Sequence, residues 1–63
     1  MYVLGSPPRT PNEAFDALDN VFGADEFSRD NAEEVFEEVL ELSPSEASAE
    51  FRRLVRMNVV EEV

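Results

Sequence analysis

The sequence predicts a mainly α fold, three helices closed by a short two-stranded ribbon made from the chain termini. Three observations carry this expectation. Apolar residues recur at helical spacing in three separate stretches, 11–22, 29–41 and 44–57. Each stretch opens next to a residue type that caps helices: Thr10, Ser28 or Ser43. The ends of the chain, Tyr2-Val3-Leu4 and Val59-Val60, are strand-forming, and a lone strand is not stable in water, so the two are expected to pair. Residues 1–9 read as an N-terminal strand or arm and residues 10–63 as one tri-helical domain.

The elements follow in chain order. Gly5-Ser6-Pro7-Pro8 ends the first strand. Thr10-Pro11-Asn12-Glu13 has the form of a capping box, with Thr10 as cap, Pro11 at the first helical position and Glu13 reaching back. Ala14, Phe15, Leu18, Val21 and Phe22 then form an apolar stripe, and Gly23 stops the helix. Ser28 starts the second helix, where Ala32, Val35, Phe36, Val39 and Leu40 make one apolar stripe and Glu33, Glu34, Glu37, Glu38 and Glu41 fill the opposite side. Ser43-Pro44-Ser45-Glu46 repeats the capping signature, with Leu42 and Ala47 placed as a hydrophobic staple. The third helix buries Ala47, Phe51, Leu54 and Val55. Asn58 is suited to a left-handed turn into the second strand.

Composition limits what such a domain does. Sixty-three residues form one small domain that buries only ~60 % of its unfolded surface. The chain lacks Cys, His, Trp, Lys and Gln, which removes disulfides, thiolate and imidazole zinc sites, Cys or His catalysis and a Walker lysine. No nucleophile–base pair or metal constellation stands out, so neither an enzyme nor a cofactor is expected. Five Phe, six Ala, eight Val and five Leu are too apolar for a disordered chain. No run approaches the ~20 apolar residues of a membrane span, and the first residues lack a signal-like pattern. A cytoplasmic protein without a membrane partner or a small-molecule substrate is the expectation.

The net charge is −10, from 15 Asp and Glu against five basic residues, all Arg. A carboxylate surplus without Lys matches the proteins of salt-in halophiles such as haloarchaea. At 1 M salt the Debye length is ~3 Å, and self-repulsion in such a chain is largely screened. In that setting negative charge does not exclude a nucleic-acid partner.

The segment SEASAEFRRLVRMNVVEEV, Ser45 to Val63, resembles the recognition helix and first wing strand of winged helix-turn-helix domains. Phe51 and Leu54 stand in the apolar positions, Asn58 stands in the glycine place, and Val59, Val60 and Glu61 follow. FSRDNAEEVFEEV, Phe27 to Val39, is similar to the first helix of that motif, with Ala32 in its small-residue slot. The resemblance implies a winged-helix-like fold and DNA binding, here by a small transcriptional regulator of a halophilic archaeon. The chain departs from the pattern in three ways. Its second helix is long, that helix carries a glutamate face, and no second wing strand follows Val63, so the wing is truncated or replaced by Tyr2-Val3-Leu4.

With ~100° per residue, the outward stripe of the third helix is Ser45, Ala49, Arg52, Arg53 and Arg56, with Ser48 at its margin. Small residues permit close approach to a duplex, and Arg pairs with guanine edges or phosphates. Arg29, at the start of the second helix beside free amides, is a secondary phosphate candidate. A bland reading stands beside this one: arginines near a helix C-terminus complement its dipole, Glu50 pairs with Arg53, and Arg29 is an exposed first-turn residue. The glutamates of the second helix read as a solvated face, not as a cation cage or an acid–base pair. Phe15, Phe22, Phe36 and Phe51 read as core, and Phe27 as packing. Tyr2 and Met57 are expected to flank an apolar edge which, with the terminal strands, could join two copies in a homodimer. The alternative to double-stranded DNA is a non-enzymatic protein–protein interaction module on the same tri-helical fold.

Overall fold

A computed structural model describes all 63 residues. The order of elements is β1 (Tyr2–Leu4), α1 (Glu13–Phe22), α2 (Arg29–Val39), α3 (Pro44–Arg56) and β2 (Val60–Glu62). The expected mainly helical architecture with a terminal ribbon is present. β1 and β2 pair antiparallel, with Tyr2 opposite Glu62, Val3 opposite Glu61 and Leu4 opposite Val60. Beyond the strands, the Val63 N–H donates to the Met1 carbonyl at 3.0 Å and the Gly5 N–H to the Val59 carbonyl at 2.9 Å.

The other edge of β1 is also used. Tyr2 and Phe27 exchange two backbone hydrogen bonds of 2.8 and 2.9 Å, an isolated antiparallel bridge. β1 is therefore the middle of a three-part layer, with Phe27 on one side and β2 on the other. The Phe27 ring is fully buried and stacks on Phe22, centroids 4.8 Å apart.

Two helix starts follow the sequence and one does not. Ser28 caps α2 through the Asn31 N–H at 3.1 Å. Ser43 and Glu46 close a complete capping box on α3, the Glu46 N–H donating to Ser43 Oγ at 3.2 Å and the Ser43 N–H to Glu46 Oε1 at 2.9 Å. α1, in contrast, is capped by Asn12, whose Oδ1 accepts from the Phe15 N–H at 2.9 Å. Asn is a better cap than Thr, so it displaces the expected Thr10 and leaves Pro11 outside the helix.

The helix ends are set by left-handed residues. Gly23 has φ +56° and returns its N–H to the Asp19 carbonyl, and Asn58 has φ +61° where the chain leaves α3. Glu41 also takes a positive φ, +56°, so α2 ends at Val39 and not at Glu41. Met57 caps α3, which stops at Arg56 and not at 57.

Thirteen residues are buried and all are apolar, so every polar group that could act on a ligand lies at the surface. Ala14, Phe15, Ala17 and Leu18 of α1, Ala32, Val35 and Phe36 of α2, and Ala47, Phe51 and Leu54 of α3 meet Phe27, Val59 and Val60 in one core. Three valines expected to face inwards do not: Val21 is 53 % exposed, Val39 57 % and Val55 36 %. Each sits at an edge of its helix stripe, and with only three short helices no neighbour reaches over it. No helix is long and apolar enough to cross a membrane.

Candidate nucleic-acid interface

α3 turns its outward side to solvent beside β1 and the start of α2. Its small first-turn residues are set by the cap: Pro44 begins the helix, Ser45 and Ala49 are exposed, and Ser48 is half-buried. Ala47, Phe51 and Leu54 bury the opposite side, and this fixes the direction of Arg52 and Arg56. Both are exposed.

Ser48 is the meeting point. Arg29 Nη2 donates to Ser48 Oγ at 2.8 Å and Arg52 Nη1 donates to the same oxygen at 3.1 Å. A hydroxyl oxygen has two lone pairs, and here both guanidinium groups use them. Arg29 is held from two further directions. Its Nε donates to Glu33 Oε2 at 2.6 Å, one turn along α2, and its guanidinium lies 5.5 Å from the centroid of the Phe51 ring. The bond to Glu33, which outweighs the opposing desolvation, raises the Arg29 pKa above its ordinary value.

Arg29, Arg52 and Arg56 line one surface groove of about 460 Å³, together with Tyr2, Phe51 and Val55. Tyr2 meets Phe51 edge to face, ring centroids 4.9 Å apart at 85°. No carboxylate lines the groove, and the chain's two ion pairs are Arg29–Glu33 and Arg53–Glu50. Arg52 and Arg56 are therefore free cations beside an aromatic wall. Guanidinium groups so placed present paired donors of the kind that phosphate oxygens or a guanine edge accept.

The structure thus gathers Ser48, Arg52, Arg56 and Arg29 and leaves Ser45 and Ala49 on the neighbouring exposed surface. It separates Arg53 from them. Arg53 lies about 100° around α3 from Arg52, reaches Glu50 at 3.5 Å, and lines a different groove with Pro11, Asn12 and Leu42. Tyr2 and Met57 do not share an edge either. Tyr2 is half-buried in the arginine groove, whereas Met57 lies beside Ser6 to Thr10. The free edge of β2 carries Glu61 and Glu62, both exposed, and like charges opposite one another disfavour edge-to-edge pairing of two copies.

Sequence reasoning missed Tyr2 and Val55 as walls of the groove and missed the convergence on Ser48. The Arg29–Glu33 pair was legible from its i, i+4 spacing. The 19-residue step from Arg29 to Ser48 had no sequence signal. No group of three or more His, Cys, Asp or Glu side chains is placed to hold a metal ion.

Fold and groove together define a small three-helix domain with a terminal β ribbon and a cationic, aromatic-walled surface site. No protein family model, curated protein or solved structure matches the chain.

Proposed function

We propose that the domain binds double-stranded DNA, with α3 as its recognition helix and Arg29 as a phosphate anchor from the start of α2. The observation that carries this reading is the gathering of three of the five arginines in one groove on the outward side of α3, two of them bonded to Ser48, in a chain of net charge −10. The strand arrangement supports it. β1 runs antiparallel to the strand that follows α3 and bridges to Phe27 just before α2. In this reading β1 stands in for the second wing strand of a winged helix-turn-helix domain, supplied from the other end of the chain. A transcriptional role in a high-salt cytoplasm follows from this reading and from the acidic, lysine-free composition.

The ribbon contributes shape and not charge, because Glu61 and Glu62 repel phosphates. Affinity then rests on α3 and Arg29. One copy spans 26 Å at most, less than one turn of B-DNA at ~34 Å, so a single domain reads only a short site.

Selection from a random duplex pool at several KCl concentrations, followed by titration of variants, tests the reading. Enrichment of a sequence is expected. Arg52→Ala or Arg56→Ala should weaken binding by ~1–3 kcal/mol where the contact is to a base edge, or lower the salt slope by about one where it is to a phosphate. Arg53→Ala, about 100° around α3 from Arg52 and paired with Glu50, should change little. If no sequence enriches and the Arg52 and Arg56 variants bind bulk DNA as wild type does, the reading fails.

A further inference from the structure

A further groove, of about 370 Å³, runs between the end of α1 and the side of α2. Val21, Phe22, Val35 and Val39 form its floor and walls, and Asn31, Glu34 and Glu38 form its rim. At ~100° per residue these α2 positions lie opposite Arg29 and Glu33, so the groove faces away from the arginine site. Val21 and Val39 are more than half exposed although neither is a good helix former. Both lose apolar contact and helix propensity at once in the free domain. Glu34 and Glu38 have no cation partner, since the two ion pairs of the chain use Glu33 and Glu50.

We propose that this groove docks a basic amphipathic helix of a partner protein. Apolar side chains spaced i, i+3 or i+4, and i+7 would enter between Val21 and Val39, and flanking Lys or Arg would meet Glu34 and Glu38. Charge selects this occupant over a second copy. Another copy brings a further net charge of −10, and a two-fold contact sets Glu34 and Glu38 against the same residues of its mate. The apolar and basic patch of Val55 with Arg52 and Arg56 belongs to the arginine site on the opposite face.

A synthetic Leu/Lys amphipathic peptide of about 15 residues, near the length at which an isolated helix becomes viable, is the probe. It is titrated into the full chain at low salt while backbone amide shifts are followed. The expected shifts fall on Val21, Phe22, Glu34, Val35, Glu38 and Val39 and spare Arg52 and Arg56. Val21→Asp and Val39→Asp should each weaken binding about tenfold, the effect of losing roughly one valine's apolar burial and setting a carboxylate against the leucine face of the peptide. Both positions are exposed, so the fold is retained, and thermal melts check it. Glu34→Gln with Glu38→Gln should weaken binding and flatten its salt dependence. A Leu/Glu peptide should not bind. Three results overturn the proposal: no binding of the Leu/Lys peptide, equal binding of a scrambled peptide of the same composition, or concentration-dependent dimers of the free chain that Val39→Asp abolishes. None of these outcomes depends on whether α3 binds DNA.

Discussion

Arg29 and Arg52, from different helices and 23 positions apart, donate to the same acceptor, Ser48 Oγ, at 2.8 and 3.1 Å. Two like charges are brought together on a neutral hydroxyl, and one carboxylate, Glu33, balances only one of them. An anion in the groove relieves that imbalance. The serine thus does more than permit close approach: it orients both guanidinium groups in the free domain, and under the proposed DNA binding this would lower the entropy lost on association.

Ser48→Ala should therefore weaken DNA binding without removing a charge. Its signature is a lower affinity with an unchanged salt slope, whereas Arg29→Ala lowers both. In the Ser48→Ala background, Arg29→Ala should have a smaller effect than in wild type, because the two act as a unit. Titrations of the four proteins at several KCl concentrations measure both quantities. Additive losses would separate the serine from the arginines.

Stability should rise with salt. Fifteen carboxylates on a small domain, ten in excess of its arginines, repel one another. Raising KCl from about 0.1 M to about 1 M shortens the Debye length from ~10 Å to ~3 Å and screens that repulsion. The thermal midpoint is expected to be higher in the second buffer. Equal midpoints would remove the case for a high-salt setting.

Backbone strain makes two opposite predictions. A Cβ on Gly23 would meet nothing closer than the Asp19 carbonyl at 3.8 Å, so space is no obstacle, but φ is +56°. Gly23→Ala should cost about 1–2 kcal/mol from conformation alone. Glu41 holds a similar φ with a side chain, and Glu41→Gly should stabilise the end of α2 by up to ~1 kcal/mol. Chemical denaturation of both variants checks the pair of signs.

The capping box of α3 gives an acid dependence. The Ser43 backbone N–H, and secondarily its hydroxyl, hold the Glu46 carboxyl below the usual glutamate value. A group with a depressed folded pKa adds stability that is complete above its unfolded pKa, ~4.3, and is lost as pH falls through the lower folded value. Glu46→Gln keeps a capping side chain without the titration. The stability difference between wild type and Glu46→Gln should be flat at neutral pH and shift against wild type as pH falls below the ordinary glutamate range. Ser43→Ala, which removes the cap itself, should cost ~1 kcal/mol.

The chain ends should accept a covalent join. Met1 and Val63 are adjacent across the ribbon, and the Val63 N–H already donates to the Met1 carbonyl at 3.0 Å. That is the hydrogen-bonded pair that a two-residue Asn-Gly turn closes. A head-to-tail cyclised chain with this insert is expected to melt at a higher temperature than the open chain, since closure reduces the entropy of the unfolded state. A lower midpoint would show that the ribbon is strained by the join.

Local chemistry determined the helices, two of their caps and the pairing of the termini. Ser28 and Ser43 satisfy orphan amides within three residues of themselves, Asn58 makes a left-handed turn by its own preference, and the two strand-forming ends are the only two strands of the chain. Where two adjacent local signals competed, as Thr10 and Asn12 did, the pattern alone named the wrong cap. Tertiary structure decided everything that depends on which helix reaches over which. Val21, Val39 and Val55 belong to apolar stripes by spacing, yet exposure is settled by the position of the neighbouring helix. The same holds for charge: the sequence placed Arg52, Arg53 and Arg56 on one outward stripe, but about 100° of rotation sends Arg53 to Glu50. Packing of α2 on α3 brings Arg29 into the vacated place. Periodicity fixes angles around one helix axis, and only the packing of one helix against another fixes what those angles face.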